Sequence, residues 1–210
     1  MKQMGIRDMT FAQLREMDRY YVDKTMLIAD ILRTGDSNVY LFTRPPGFGK
    51  STNLTMLDAF FNMEYTGNTW FEGLRILDHP EFDGYRNAYP VIDLNLKDVQ
   101  AEPYDGFLDG IRSAVLRCYR NHDYLFEQKD VAEELSYISD TLTTRTTPET
   151  PLIESIRLLI SALARYHGRR VVVLVNEYDN AVASTSDRDS RGRMLAFLRD
   201  FLDSALKDTG

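Results

Sequence analysis

Cysteine and histidine are both scarce in this chain of 210 residues, which contains one cysteine and three histidines. The lone Cys118 excludes a disulfide framework within the chain and a metal site built from several cysteines. The histidines (His79, His122 and His167) are scattered and lack the spacing that paired metal ligands have. We therefore expect no cysteine–histidine metal site, and a reducing, cytoplasmic setting is the simplest interpretation.

Long apolar runs and an excess of positive charge are also missing. Charged residues interrupt the N-terminal stretch, which therefore does not resemble a signal peptide, and no later stretch has the length of a membrane span. The formal net charge of −7 argues against a uniformly basic surface for nucleic acid, although a local basic patch stays open. With 43% hydrophobic residues, the composition is typical of a soluble globular domain with a substantial core.

The apolar pattern predicts helices that alternate with strands. A helix is expected over residues 26–32, capped by Asp23 and stopped by Gly35, and a buried strand over residues 38–42. Further helices are expected over residues 51–63, 104–120, 130–142, 152–168 and 190–208, and further strands over residues 89–96 and 171–175. The threonine-rich segment 143–151 is expected to be a loop or hinge, since its Thr and Pro content opposes a helix.

This order of elements predicts an α/β fold. The valine-rich run at residues 171–175 is typical of a parallel strand that is covered on both faces. Alternating strands and helices predict three layers, with a mostly parallel sheet and helices on both of its faces. We expect residues 1–210 to form a single domain, in which residues 97–150 are a candidate helical insertion.

Residues 42–54, FTRPPGFGKSTNL, carry the end of a phosphate-loop motif, G-x-x-x-x-G-K-[ST]. The loop lies between a predicted strand and a predicted helix, which is the order that a phosphate loop needs. In such loops, backbone N–H groups and the helix N-terminus face the phosphates. Lys50 would reach the β- and γ-phosphates, and the Ser51 hydroxyl would ligate Mg²⁺. A side chain at Gly49 would block the close approach of the backbone.

Two features weaken this interpretation of the loop. Arg44 stands where the motif has its first glycine, although Gly47 can supply backbone freedom from another position. The tripeptide Gly49-Lys50-Ser51 is also weak evidence by itself, and a helix start with a solvated lysine is the alternative. The strand before it and the apolar helix after it favour the phosphate loop.

A second candidate site follows the predicted strand at residues 171–175. Asn176 stands where a magnesium-binding aspartate is expected, and an asparagine keeps an oxygen but loses the negative charge. Glu177 is the candidate general base or water-positioning residue. Asp179 could replace the missing charge or could cap a turn, and the whole stretch could be only a polar exit from the strand. We expect the neutral Asn176 to impair nucleotide hydrolysis more than nucleotide binding.

Several stretches in the same order resemble the bacterial AAA-ATPase-like domain family. They are GIRDMTFAQLRE, YYVDKT, the loop FTRPPGFGKSTNL, WFEGLRI, YPVIDLNL and VVVLVNEYDN, and the match runs from about Gly5 to Lys207. The resemblance implies an AAA-like P-loop NTPase with ATP and Mg²⁺ as cofactors, whereas the residues themselves do not distinguish ATP from GTP. The expected nucleotide-binding residues are Arg44, Gly47, Phe48, Gly49, Lys50, Ser51 and Thr52. The expected catalytic residues are Lys50 and Glu177, and the expected metal ligands are Ser51, Asn176 and Asp179.

Arg44 matches an arginine that the family itself carries at this place, but other positions depart from the family pattern. Pro46 and Gly47 stand where the family has two arginines, and Asn176 replaces its aspartate, either by natural divergence or by a change that traps bound nucleotide. In the family a further strand with a polar sensor follows the closing helix, and many relatives continue into a PD-(D/E)XK nuclease-like domain. The sequence stops at ALKDTG, so we expect a domain shortened before its sensor strand.

Three functional hypotheses follow. The first is an ATP-binding domain with weak or impaired Mg²⁺-dependent hydrolysis. The second is a nucleotide switch or scaffold that does not consume ATP. The third is a regulatory module of a nucleic-acid-processing protein, which would meet nucleic acid only through a fused or partner nuclease. No membrane partner is expected. In AAA-like homo-oligomers an arginine from a neighbouring subunit often completes the site, and the candidates here, unless they form only a solvated helix face, are Arg188, Arg191, Arg193 and Arg199.

Overall fold

The computed structural model describes residues 9–34, 39–43, 48–100, 103–144 and 148–206. Within these ranges the chain has a mixed α/β structure in which helices predominate. The helices are α1 (Phe11–Glu16), α2 (Met26–Arg33), α3 (Lys50–Phe61), α4 (Tyr104–Asn121), α5 (Lys129–Thr143), α6 (Glu149–His167), α7 (Asn180–Ser184) and α8 (Arg188–Leu206). The strands are β1 (Val91–Asn95) and β2 (Val172–Asn176). The chain divides into an N-terminal unit, residues 1–91, and a C-terminal unit, residues 92–210.

Aromatic packing forms the core of the N-terminal unit. The ring of Phe71 lies 4.9 Å from the ring of Phe11 in α1 and 5.5 Å from the ring of Phe60 in α3, measured between centroids. All three side chains are buried. The backbone N–H of Phe11 also donates to the Thr55 hydroxyl in α3 over 2.9 Å. These ring contacts and this hydrogen bond hold α3 in place, and they therefore fix the position of its first residue, Lys50.

The core of the C-terminal unit is formed by the apolar faces of α4, α5, α6 and α8. The rings of Phe107 in α4 and Phe197 in α8 meet edge to face, with centroids 5.7 Å apart. Inside this core, the Tyr119 hydroxyl donates to the backbone carbonyl of Ser155 over 2.8 Å, so the buried phenol keeps a hydrogen-bond partner. Gly168 directly follows α6, and its φ of 61° is a left-handed conformation that favours glycine and ends the helix.

β1 and β2 form a two-stranded parallel sheet. It is the one sheet in the described part of the chain, so the larger sheet of the expected three-layer fold is not seen there. Leu174 of β2 is buried, but the other residues of this strand are only half-buried. The expectation of a strand covered on both faces is therefore met only in part. The valine-rich run identified the strand correctly but not the number of its neighbours.

The buried strand expected over residues 38–42 is wrong for the part that the structure describes. Residues 39–43 are not in a strand, and Val39, Leu41 and Phe42 are 50%, 67% and 41% exposed. The Tyr40 hydroxyl donates to the carbonyl of Ile31 in α2 over 2.8 Å. Apolar composition favours burial, but a strand also needs backbone pairing with a neighbour, which composition does not specify.

Candidate functional site

Helix α3 begins at Lys50, directly after a glycine in a left-handed conformation. Gly49 has φ 77° and ψ 28°, which any residue with a Cβ adopts only at a cost. Its carbonyl accepts the first helical hydrogen bond, from the N–H of Asn53 over 2.9 Å. The N–H groups of the first turn therefore have no acceptor within the helix and point outward from its N-terminal end. This arrangement can bind an anion such as a phosphate group.

Of the residues expected to contact a nucleotide, those that the structure describes lie around this helix start. Phe48 and Ser51 are exposed, whereas Lys50 and Thr52 are half-buried. Arg44 and Gly47, the remaining two, lie outside the residues that the structure describes. On the opposite side of α3, Met56, Leu57 and Phe60 are buried, which gives the helix an anchored face and leaves its N-terminus accessible.

The segment before α2 contributes a residue that sequence analysis missed. The Lys24 ammonium donates to the carbonyl of Phe48 over 3.1 Å, and its Nζ lies 3.4 Å from the position that a Cβ would take at Gly49. Lys24 belongs to the YYVDKT stretch, which in the sequence indicates only the resemblance to the family. Little in the sequence indicates this contact, because the phosphate-loop motif specifies no lysine at a fixed distance before the loop.

Asp23 lies beside Lys24, in a role that differs from the expected one. Thr25, not Asp23, is the residue immediately before α2, and it makes no side-chain capping bond to the helix. The Asp23 carboxylate instead accepts from the N–H and hydroxyl of Thr25, over 2.9 and 2.6 Å, and from the N–H of Arg75 over 2.9 Å. Burial raises the pKa of this carboxyl, but these hydrogen bonds together outweigh it, so its pKa lies below the usual value. Asp23 thus fixes the segment that carries Lys24.

The second group of expected site residues lies at the end of β2. Asn176 is the last residue of this strand, and its carbonyl accepts from the N–H of Leu96 over 3.0 Å. Glu177 follows with φ 56°, a left-handed conformation that is uncommon for a residue with a side chain. Its side chain is half-buried, and its carbonyl accepts from the N–H of Asn180 over 3.2 Å. Such outliers concentrate at functional sites, where neighbouring structure holds them in place.

Asp179 precedes the short helix α7. The residue is exposed, and its side chain makes no capping hydrogen bond to the helix. Its backbone carbonyl accepts from the N–H of Ala183 over 2.8 Å. The side chain of Asn180 donates to the carbonyl of Lys97, 3.2 Å away, and so ties the start of α7 to the segment after β1. The structure therefore has no side-chain cap by Asp179 at the start of α7.

The structure brings the expected residues together in two groups, one in each unit. Phe48, Gly49, Lys50, Ser51 and Thr52 lie in the N-terminal unit, and Asn176, Glu177 and Asp179 lie in the C-terminal unit. Among the described residues, no group of three or more His, Cys, Asp and Glu side chains is arranged to hold a metal ion. No helix in the described ranges is both long and apolar enough to cross a membrane.

The four arginines that are candidates to complete the site of a neighbouring subunit lie on α8. The Arg193 guanidinium lies over the ring of Tyr104, 3.8 Å from its centroid. The Tyr104 hydroxyl in turn donates to the Glu149 carboxylate over 2.9 Å, so Arg193 belongs to a local contact within the C-terminal unit. Arg188, Arg191 and Arg199 are exposed.

Comparison with known proteins identifies the family. The AAA-ATPase-like family model, described as "Predicted AAA-ATPase", matches residues 3–210. The chain is 30% identical over 210 residues to an "Uncharacterized protein in vnfD 5'region" of Azotobacter chroococcum mcd 1; the match covers 99% of this chain and 35% of that relative. The chain therefore spans about a third of the length of this relative. No solved structure matches. The chain belongs to the AAA-ATPase-like family of predicted AAA-ATPases.

Proposed function

We propose that this chain binds ATP together with Mg²⁺ at the N-terminus of α3. The observation that carries the proposal is the left-handed Gly49, which leads directly into the helix that begins Lys50-Ser51. Any larger residue at Gly49 would be strained, and the exposed helix start offers N–H groups to an anion. Membership of a family of predicted AAA-ATPases supports ATP as the nucleotide.

The side chains around this helix start fit a bound nucleotide. Lys50 supplies a positive charge for the β- and γ-phosphates, and the N–H groups of Gly49 to Thr52 supply hydrogen bonds. The exposed Ser51 has a hydroxyl of the kind that ligates Mg²⁺ in phosphate loops. Magnesium, when bound, neutralises charge that develops on the transferring phosphoryl group. Phe48 contributes through its backbone, and Arg44 and Gly47 complete the proposed loop.

Hydrolysis depends on the residues after β2. We assign Glu177 the role of general base or water-positioning residue, and its unusual backbone conformation supports a functional constraint there. Asn176 offers an amide oxygen but no charge, and Asp179 offers an exposed carboxylate. The proposed protein ligands of Mg²⁺ are Ser51, Asn176 and Asp179. Water and phosphate oxygens would supply the remaining ligands. Because Asn176 is neutral, we expect hydrolysis to be weak.

We propose an AAA-like P-loop fold of three layers, with residues 97–150, which include α4 and α5, as a helical insertion. A homo-oligomer in which Arg188, Arg191 or Arg199 reaches a neighbouring site is also proposed. These three arginines are exposed, which leaves them available for such a contact.

A nucleotide switch that binds but does not consume ATP is the second candidate function. The observation that favours it is the neutral Asn176 at the end of β2, since lost charge at a metal site impairs turnover more than binding. In that case ATP would change the oligomeric state without release of phosphate.

Phosphate release separates these two functions. It should be followed with saturating Mg²⁺ and ATP in the unchanged protein, Asn176→Asp and Asn176→Asp combined with Glu177→Gln. We expect Asn176→Asp to accelerate release by about tenfold, equal to roughly 1.4 kcal/mol of the barrier, and Glu177→Gln to remove that gain. If ATP binds but no variant releases phosphate, the switch function is favoured and the hydrolytic role of Glu177 is contradicted.

A further inference from the structure

The ammonium group of Lys24 lies against the last peptide of the loop before α3. Its Nζ donates to the carbonyl oxygen of Phe48 over 3.1 Å. The same Nζ lies 3.4 Å from the point where a Cβ would stand at Gly49. Lys24 is 24 positions away from Phe48 in the sequence, so this contact is formed by the fold and not by local chain geometry.

The contact fixes the orientation of one peptide group. The carbonyl of Phe48 and the N–H of Gly49 belong to the same planar peptide unit, and in a trans peptide they point in opposite directions. Lys24 binds the carbonyl side of this unit and thereby turns the Gly49 N–H to the other side. We propose that Lys24 is a positioning residue of the phosphate loop, which presents the Gly49 N–H to a nucleotide phosphate. This inference rests on the proposed function, since the same loop is the proposed ATP site.

The backbone of Lys24 is itself held in place. Its N–H donates to the Tyr21 hydroxyl over 3.4 Å, and that hydroxyl donates to the Sδ of Met56 in α3 over 3.3 Å. On its other side, the Asp23 carboxylate binds Thr25 and the N–H of Arg75. Hydrogen bonds therefore connect the backbone around Lys24 both to α3 and to the segment at Arg75. These bonds limit the positions that the ammonium group can reach.

Charge gives Lys24 a second effect on the same ligand. A triphosphate is strongly anionic, and the Lys24 ammonium next to the loop adds a positive charge that attracts it. Lys24 and Lys50 then act differently: Lys50 contacts phosphate directly, whereas Lys24 acts through the Phe48–Gly49 peptide. Loss of a hydrogen bond from a charged donor should weaken ATP binding by about tenfold.

The first test needs no nucleotide. Amide hydrogen exchange should be followed at Asn53, whose N–H donates to the Gly49 carbonyl over 2.9 Å and is the first protected amide of α3. The proteins to compare are the unchanged protein, Lys24→Met, Lys24→Arg and the control Lys129→Met, whose exposed lysine lies at the start of α5. We expect exchange to be several-fold faster in Lys24→Met, because the freed peptide samples more orientations. Lys24→Arg keeps a charged donor and should restore most of the protection, while Lys129→Met should match the unchanged protein.

The second test measures ATP affinity with Mg²⁺ by calorimetry, beside the melting temperature of each variant. A positioning role predicts weaker binding by Lys24→Met, rescue by Lys24→Arg and little change in the melting temperature. If Lys24→Met does not fold, Lys24→Gln, which keeps a neutral donor, takes its place, with the same faster exchange and weaker binding expected.

The two tests separate failure of this inference from failure of the proposed function. If the Asn53 amide exchanges equally fast in Lys24→Met and in the unchanged protein, the inference is overturned, whether or not the unchanged protein binds ATP. Faster exchange with undiminished ATP affinity also overturns it, because loop order would then have no consequence for the ligand. If the unchanged protein binds no ATP while Lys24→Met exchanges faster, the proposed function fails and Lys24 still orders the loop.

Discussion

The carboxylate of Asp23 accepts a hydrogen bond from the backbone N–H of Arg75, 52 residues further along the chain, over 2.9 Å. The same carboxylate binds the N–H and hydroxyl of Thr25, and that hydroxyl accepts from the N–H of Ile76 over 3.2 Å. Asp23 and Thr25 therefore join the start of α2 to the 3₁₀ helix Arg75–Asp78. Stability of the N-terminal unit should depend on the ionised form of Asp23.

Asp23→Asn is expected to lower the free energy of unfolding by about 1–3 kcal/mol at neutral pH, since charge-assisted hydrogen bonds are lost. Because the pKa of Asp23 is lower in the folded protein, its contribution is present above the unfolded-state pKa, about 3.9, and is lost as the pH falls through the folded-state pKa. The difference between the two proteins should therefore shrink below about pH 4. Urea unfolding at several pH values measures this, with the exposed Asp78→Asn as control. If the difference in unfolding free energy between Asp23→Asn and the unchanged protein does not change with pH, the stabilising role of the ionised Asp23 carboxylate is contradicted.

Gly49→Ala should reduce both stability and nucleotide binding. A Cβ at φ 77° costs about 1–2 kcal/mol, and this one would also meet the Nζ of Lys24 at 3.4 Å. Gly67→Ala is a matched control, since Gly67 has φ 86° and nothing within 4 Å of the added Cβ. Thermal unfolding should show similar losses for both variants, whereas calorimetry should show weaker ATP binding for Gly49→Ala alone. Equal ATP affinity in the two variants would count against a phosphate site at Gly49.

The backbone conformation of Glu177 predicts a stability difference between two substitutions. Glu177→Ala removes the carboxylate and keeps a Cβ at φ 56°, whereas Glu177→Gly removes the carboxylate and the strain. We expect the glycine variant to be more stable than the alanine variant by about 1 kcal/mol, measured by urea unfolding. Neither variant should release phosphate from ATP, because both lack the Glu177 carboxylate. A glycine variant that is no more stable than the alanine variant would show that Glu177 is not strained.

Cys118 should report on unfolding, because it is the one thiol of the chain. The side chain is 2% exposed, its Sγ donates to the carbonyl of Asp93 over 3.4 Å, and burial raises its pKa to about 12. Since the thiolate is the reactive form, a thiol reagent at pH 8 should leave the folded protein unmodified and label it fully in urea. Labelling of the folded protein at the rate of a free cysteine would contradict this burial.

Long amphipathic helices were the part of the fold that the sequence predicted best. The predicted segments 104–120, 130–142, 152–168 and 190–208 correspond to α4, α5, α6 and α8 within a few residues at each end. Their apolar positions repeat with the helical period over many turns, and Gly168 ends α6 as expected. The proposed loop at 143–151 is shorter than expected, since α6 already begins at Glu149 and tolerates Pro151 in its first turn.

Features that depend on distant contacts were not predictable. The apolar segment 39–42 has a composition typical of a strand, yet pairing depends on neighbours that the segment itself does not encode. The Lys24–Phe48 hydrogen bond and the Asp23–Arg75 hydrogen bond each join parts of the chain that no local pattern relates. The left-handed Glu177 was also missed, since a glutamate gives no signal of positive φ. The motif at Gly49-Lys50-Ser51 did predict a helix start in the correct place.

A calorimetric titration of ATP with Mg²⁺ into the unchanged protein and Lys50→Ala tests the central claim most directly, with Lys129→Ala as the matched lysine control. We expect saturable binding by the unchanged protein and by Lys129→Ala, and binding at least about tenfold weaker in Lys50→Ala, because the charged contact to phosphate is lost. An absence of binding by the unchanged protein at millimolar ATP, or equal binding by Lys50→Ala, would contradict an ATP site at the start of α3.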